Sequence, residues 1–226
     1  TDVAIDARSS TTIRIEHLFD SPGVHSLAAT LEHDDALAGD NRRAIGVDVI
    51  DEVRVVIADG DPNDQPLTSE TDFLAIALSP FAFGGVDRSD AIRTTVIAPA
   101  RISATLKSNR PNALVLANVP SISDQAKTDI VNFVNRGGSL VIFDGELVQP
   151  SAYEGPWVGA DTSLTIPAAM DTIVGKDAAL DAKPIAIKAS QEPLSPWRNL
   201  VGPDESFFDQ VDLFAYRKLM LDSTDQ

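Results

Sequence analysis

This chain of 226 residues contains no cysteine. It can therefore form no disulfide, no thiolate metal site and no cysteine nucleophile. The absence does not fix the cellular compartment, because many secreted bacterial proteins also lack cysteine. Histidine is nearly as scarce: the three histidines are His17, His25 and His33. The long remainder of the chain thus has no imidazole to serve as a catalytic base.

Basic residues are also few. Lys and Arg total 18 against 34 Asp and Glu, which gives a formal net charge of −16. A surface this acidic repels phosphate backbones and anionic lipid, so the sequence predicts no nucleic-acid partner. The charge favours solubility and suits cations or basic partners.

Long apolar runs are missing as well. No stretch approaches the roughly 18 consecutive apolar residues that indicate a membrane-spanning helix, so we predict no direct membrane insertion by this chain. It begins without Met, and both ends are polar. We interpret it as an excised soluble piece of a longer protein.

Residues 1–52 have the pattern of a partial β domain. Residues 12–18 alternate apolar and polar side chains, as a half-buried strand does. Further strands are predicted at residues 24–31 and 44–50. Three or four strands are too few to close a sandwich of about seven. The segment is interpreted as the C-terminal part of an immunoglobulin-like domain, or as an appendage of the next domain.

From residue 53 the pattern changes to strands that alternate with helices, which is typical of a doubly wound sheet. Predicted helices start at Thr68 or Ser69 and at Ser123, which are N-cap residue types, and Gly137 suits the end of the second helix. A last strand is predicted at 211–216. Four strands are expected to be parallel neighbours buried on both faces: 53–58, 92–97, 113–117 and 140–143.

The stretch from Ala113 to Glu146 has the order strand, turn, helix, Gly-Gly, strand and sharp turn. This order resembles the core of a class I glutamine amidotransferase-like domain. In that family the final turn holds a nucleophilic cysteine, whereas here it reads Phe143-Asp144-Gly145-Glu146. The resemblance implies the fold, but the missing thiol and downstream histidine argue against the usual chemistry.

The predicted fold class is therefore α/β. A flavodoxin-like, amidotransferase-like parallel sheet with helices on both faces is expected over residues 53–226. The partial immunoglobulin-like segment over residues 1–52 precedes it.

Five motifs extend the resemblance: DALAGDNRR at 35–43, VVIADG at 55–60, ETDFLAIAL at 70–78, LANVPS at 116–121 and FVNRGGSLVIF at 133–143. In order and spacing they resemble the soluble region of BatA-type, von Willebrand factor A-associated bacterial membrane proteins. That resemblance covers roughly residues 20–150. It implies a membrane-anchored parent with this region periplasmic or extracytoplasmic, and it brings no established reaction. The von Willebrand A domain and its metal-binding motif are absent from this chain.

Polar residues follow the predicted strands at their carboxyl ends, where open α/β sheets bind ligands. Their four carboxylates suit Mg²⁺ or Ca²⁺, or else they cap helices and satisfy turn amides. No cation stands near Asp144 in sequence, so we expect it to accept backbone amides in the turn that Gly145 permits. No catalytic residue, metal ligand or cofactor is assigned. The candidate cleft comprises Asp59, Gly60, Asp61, Asn118, Ser121, Asp144, Gly145 and Glu146.

Three further residue sets need an interpretation. His17, His25 and His33 recur every eight residues, which could stack them across adjacent strands as a metal or pH-sensing set, or could be coincidence on solvated strand faces. Trp157 and Trp197 either anchor packing or line a ligand or partner surface. The acidic residues between 32 and 41 do not fit a calcium-loop pattern, so a polar connection is expected there.

Three functions remain open at this point. The first is a non-catalytic interaction or scaffold domain of a membrane-anchored envelope protein, whose partner is a protein or other domains of the parent chain. The second is a domain that senses a small ligand or a divalent cation through the carboxylate-lined cleft. The third is a cysteine-free hydrolase with Asp144 as nucleophile or base. The oligomeric state stays undetermined.

Overall fold

The computed structural model describes residues 3–5, 7–33, 37, 39–82, 90–175 and 214–221. The chain divides into two compact units, residues 1–53 and 54–226. None of the helices in these described ranges is long and apolar enough to cross a membrane.

The described part of the first unit is built around one hairpin. Strands β1 (Gly23–Thr30) and β2 (Arg42–Val49) pair antiparallel along their whole length. The predicted strand at 12–18 is wrong, because these residues form no strand and Ile15 and Leu18 are 78% and 85% exposed. Alternation makes a strand only where a neighbouring strand completes the hydrogen bonds, and the described residues of this unit provide none beside it.

A four-stranded parallel sheet follows, as predicted from the alternation of strands and helices. The strand order is β4-β3-β5-β6, so β5 lies on the opposite side of β3 from β4. Val55 stands opposite Ala113, and Ala113 stands opposite Ser139. The strands are β3 (Val53–Asp59), β4 (Ile92–Ile97), β5 (Ala113–Ala117) and β6 (Ser139–Phe143).

Burial differs between the central and the outer strands. Strands β3 and β5 are buried along most of their length. Strand β6 alternates between exposed and less exposed residues, and β4 does so over its first four residues, because each strand pairs on one side only in the described sheet. Val141 and Phe143 of β6 are 40% and 50% exposed. The prediction that all four strands are buried on both faces is therefore wrong for the two outer strands.

Three α-helices of the described residues pack around the sheet: α1 (Glu70–Leu78), α2 (Ile102–Ser108) and α3 (Asp124–Asn135). The predicted N-caps are confirmed, since the Ser69 and Ser123 hydroxyls accept hydrogen bonds from the third following N–H. Helix α2 was not predicted. Gly137, with φ of 92°, and Gly138 end α3 by donating to the carbonyls of Val134 and Phe133.

The helices cover both faces of the sheet. Val56 and Leu114, on one face, belong to a core that includes residues of α2 and α3. Successive strand residues point to opposite faces, so Asp59 lies on the other face from Ala58. There it accepts a hydrogen bond from Thr71 of α1.

After residue 150, the described part of the chain adds two small antiparallel sheets. Strand β7 (Trp157–Val158) pairs with β8 (Ser163–Leu164), and β9 (Ala168–Val174) pairs with β10 (Tyr216–Leu221). The last strand was predicted at 211–216, but residues 214 and 215 are not strand and β10 begins at 216. Residues 211–213 of that prediction lie outside the described ranges. Pairing with β9, which the local pattern does not reveal, sets the position of β10.

Candidate functional site

The candidate cleft lies at the carboxyl ends of β3, β5 and β6. Strands β3 and β5 are adjacent. From β3 the chain runs first to β4, on one side of β3, and then crosses back to β5 on the other side. Such a reversal of strand order is where open α/β sheets bind ligands. Here the two strand ends touch. The Gly60 N–H donates to the Ala117 carbonyl at 2.9 Å, and a Cβ on Gly60 would come within 1.9 Å of the Asn118 carbonyl oxygen.

Asn118 joins the ends of the strands. It adopts a left-handed conformation with φ of 50°, which Asn tolerates better than most residues. Its N–H donates to the Phe143 carbonyl, and its Oδ1 accepts from the Leu147 N–H at 2.9 Å. The Asn118 side chain fills the space beside Gly145, where an added Cβ would lie 2.3 Å from Asn118 Cγ. The structure therefore brings Gly60, Asn118 and Gly145 together by close packing that two glycines permit.

Asp59 is buried at the end of β3, with 7% of its surface exposed. Its Oδ1 accepts from the Asp61 N–H at 3.0 Å, and its Oδ2 accepts from the Thr71 hydroxyl at 2.7 Å. Thr71 is itself within 3.0 Å of the Ser69 hydroxyl. Hydrogen bonds to a carboxylate are among the strong ones. Both Asp59 oxygens are thus occupied in holding the turn and the start of α1.

Asp144 forms an ion pair that sequence reasoning did not anticipate. The Nε of Arg217 donates to Asp144 Oδ2 at 2.7 Å, and the Arg217 side chain is only 6% exposed. The same guanidinium donates to the carbonyls of Gly145, Val148 and Asp171. Asp144 was expected to bond backbone amides without a cation. Instead it anchors β10 to the turn after β6.

The side chains of the other members of the candidate cleft are not drawn into this arrangement. Asp61, Ser121 and Glu146 are exposed. In the described part of the chain, their side chains form no hydrogen bond or ion pair with another member of the cleft. Across the same residues, no group of three or more His, Asp and Glu side chains is placed to hold a metal ion.

A buried aromatic pair lies behind the turn. The Tyr153 hydroxyl donates to the Val119 carbonyl at 2.7 Å. Burial raises the pKa of Tyr153 well above its ordinary value, and the negative charge of Asp144 raises it further. Trp157 is 2% exposed, with its ring 5.9 Å from that of Tyr153 and 5.5 Å from the Lys127 ammonium. Trp157 is therefore a core residue, whereas Trp197 lies outside the described residues.

The histidines belong to the first unit and do not stack across strands, because only His25 lies in one. His17 and His25 instead flank Phe19, each with a ring centroid 4.8 Å from it. The His25 ring is also 2.8 Å from the Ser21 carbonyl. In the connection between β1 and β2, the Asn41 side-chain amide donates to the His33 carbonyl. Residues 34–36 and 38 of that connection lie outside the described ranges.

Sequence reasoning missed Arg217, Thr71 and Tyr153. Thr71 follows the predicted N-cap, so its position near the end of β3 could have been inferred from a β-turn-α unit. Arg217 carried a weaker signal, as one of two adjacent basic residues in a short apolar strand of an acidic chain. Its partner, 73 residues away, could not be inferred from spacing.

Comparisons of this chain with protein-family models, curated proteins and solved structures found no significant match.

Proposed function

We propose that this chain is a non-catalytic interaction domain of a membrane-anchored bacterial envelope protein. The observation that carries the proposal is the occupied site. At the end of the sheet where α/β proteins bind ligands, Gly60 packs directly against the Asn118 backbone, and Asp59 and Asp144 are bonded to groups of the protein itself. An acyl-transfer site needs an activated nucleophile beside a base of matched pKa. Neither a thiol nor an imidazole is available among residues 54–226.

A flavodoxin-like, amidotransferase-like origin for this domain is part of the proposal. When the four strands are numbered along the chain, their order across the sheet is second, first, third and fourth. That order corresponds to the first four strands of the flavodoxin-like arrangement. The turn after the fourth strand holds Asp144, where the resembled family has cysteine. The membrane-anchored parent and the extracytoplasmic location come from the resemblance of the five motifs.

The first unit supplies the interacting surface. Ile15, Leu18, Val24 and Ile45 are between 62% and 85% exposed. A two-stranded hairpin is marginally stable in water unless its apolar side chains are covered. By the register of the hairpin, Val24 and Ile45 lie on opposite faces of it, so each face presents an apolar side chain that another protein or domain could cover. We propose that residues 1–52 are part of an immunoglobulin-like sandwich completed by another domain of the parent chain or by a protein partner.

Activity assays test the non-catalytic half of the proposal. The purified chain and Asp144→Ala are assayed against glutamine and simple p-nitrophenyl esters. We expect no turnover above background for either protein. Turnover that disappears in the variant would overturn the proposal and favour a hydrolase with Asp144 as nucleophile or base.

Site-specific cross-linking tests the interaction half. A photoreactive amino acid is placed at Val24 or Ile45 in the host cell, and at exposed Lys218 of β10 as the control. Because Val24 and Ile45 lie on opposite faces of the hairpin, we expect one defined cross-linked protein, or an intramolecular product with another domain of the parent, from the covered face, and none from Lys218. Equal or no cross-linking at all three positions would contradict an interface on the hairpin.

The alternative of cation sensing is tested on the same preparation. Melting temperatures are compared in millimolar Ca²⁺ or Mg²⁺ and in chelator. A cation bound by the folded state alone would raise the melting temperature with concentration. We expect no such rise, because the Asp59 and Asp144 carboxylates already bind protein donors.

A further inference from the structure

A cavity lies at the opposite end of the sheet, next to the residues that precede β5 and β6. It has a volume of about 640 Å³ and lies between the C-terminal ends of α2 and α3. Its polar lining includes Lys107, Arg110, Asn112 and Arg136. We propose that this pocket binds a small organic anion with two or more negative charges.

The charge of the lining carries the proposal. None of the described residues that line the pocket is acidic, although acidic residues outnumber basic ones 34 to 18 in the chain. Lys107 is paired, since its ammonium lies 2.9 Å from Asp129. Arg110 and Arg136 form no ion pair within the described residues. Two arginines of the lining thus have no carboxylate partner within the described residues, and a guanidinium can bind a carboxylate or phosphate through two parallel hydrogen bonds.

Within the described residues, the Arg110 and Arg136 side chains form no hydrogen bond to a carbonyl at either helix end. Basic residues often bind the last carbonyls of a helix. At the end of α3, however, the carbonyls of Phe133 and Val134 already accept from the N–H groups of Gly138 and Gly137. Beyond α2, the Asn109 carbonyl accepts from Arg54. Each negative helix end is equivalent to about half an elementary charge. Its repulsion of an anion is therefore weaker than the attraction of two full positive charges.

The floor of the pocket indicates an organic ligand. Leu106 and Phe133 are 4% and 6% exposed, and Pro111 is also buried. The Phe133 ring occupies the space of a side chain at Gly138, where a Cβ would lie 2.3 Å from it. Pockets that orient small molecules combine such an apolar surface with a few polar groups. Asn112 adds a donor, because its Oδ1 accepts from the Arg54 N–H and leaves the amide NH₂ group available.

Calorimetric titration of the full chain tests the proposal, with citrate and inorganic pyrophosphate as probes at low and moderate salt. The variants are Arg110→Gln and Arg136→Gln. The matched control is Arg101→Gln, which removes the same charge from an exposed residue at the other end of α2. Circular dichroism of each variant verifies that it is folded.

We expect at least one probe to bind, with affinity reduced about tenfold in each pocket variant and unchanged in Arg101→Gln. Binding of citrate alone would assign a carboxylate ligand, and binding of pyrophosphate alone a phosphate ligand. No binding of either probe at low salt would overturn the proposal. An equal loss in Arg101→Gln would do the same, because it would indicate general charge attraction rather than a site.

Discussion

Arg217 Nε lies 2.7 Å from Asp144 Oδ2, although 73 residues separate the two along the chain. The arginine side chain is 6% exposed and the aspartate side chain 30%. A guanidinium this buried needs a partner, because an unpaired buried charge is costly. The pair therefore fastens the β9–β10 sheet to the turn after β6.

Removing Asp144 should destabilise the fold more than removing both partners. Asp144→Ala leaves the Arg217 charge buried without its carboxylate, and we expect a loss of about 3 kcal/mol in the free energy of unfolding. The double variant Asp144→Ala/Arg217→Met removes the buried charge as well and should recover part of that loss. Urea unfolding measures both. Equal stability of Asp144→Ala and the unmodified protein would contradict a buried ion pair.

Gly60→Ala should open the contact between the ends of β3 and β5. Its Cβ would lie 1.9 Å from the Asn118 carbonyl oxygen, which is backbone and can move only if the strand end moves. We expect a loss of at least 2 kcal/mol, roughly the upper range for overpacking, measured by urea unfolding followed by Trp fluorescence. Gly46→Ala is the control, since nothing lies within 4 Å of its added Cβ.

Tyr153→Phe should weaken the fold and change its response to alkali. The variant leaves the Val119 carbonyl without its 2.7 Å hydrogen bond, at a cost of about 1–3 kcal/mol. Because burial raises the folded-state pKa of Tyr153, its contribution is complete below the unfolded value of about 10. That contribution declines as pH rises above this value.

The difference in melting temperature between the unmodified protein and Tyr153→Phe should therefore shrink above about pH 10. Tyr216→Phe is the matched control, because Tyr216 is an exposed residue of β10. A constant difference across pH 8–11, a range of about three units around the ordinary tyrosine pKa, would show that Tyr153 is not a buried phenol.

Lys107→Gln should alter acid stability through Asp129. Burial acts to raise the pKa of Asp129, but hydrogen bonds from Lys107, Gln125 and Ser103 outweigh it and lower the pKa below its ordinary value. The resulting stabilisation is present above the unfolded pKa of about 4 and is lost as pH falls through the folded value. The melting temperature of Lys107→Gln should thus be lower than that of the unmodified protein at neutral pH, and the two should converge under acid. Exposed Lys218→Gln should show no such convergence.

Local sequence was enough for the parts of the fold whose signals are short in range. The aliphatic runs at β3 and β5, the N-cap serines Ser69 and Ser123, and Gly137 after α3 each act within one element. Strand burial and helix capping depend on residue types a few positions apart. These elements were therefore predicted to within one or two residues, and their alternation indicated a parallel sheet.

Residues 12–18 show where local pattern fails. They alternate as a strand does, yet Ile15 is 78% exposed because no described strand lies beside them. The exposure of β6 has a similar reason. Its apolar sequence predicts a strand buried on both faces, but β6 is an outer strand of the described sheet and has a neighbour on one side only.

The candidate site was decided by tertiary structure for the most part. From sequence, Asp59, Asn118 and Asp144 could be placed at one edge of the sheet, because parallel strands end together. Which donors reach them could not be inferred. Thr71 reaches Asp59 because α1 packs on that face of the sheet. Arg217 reaches Asp144 because pairing with β9 sets the position of its strand. Hydrogen bonds and ion pairs form according to distance in space, and for residues far apart in the chain only the packed fold determines that distance.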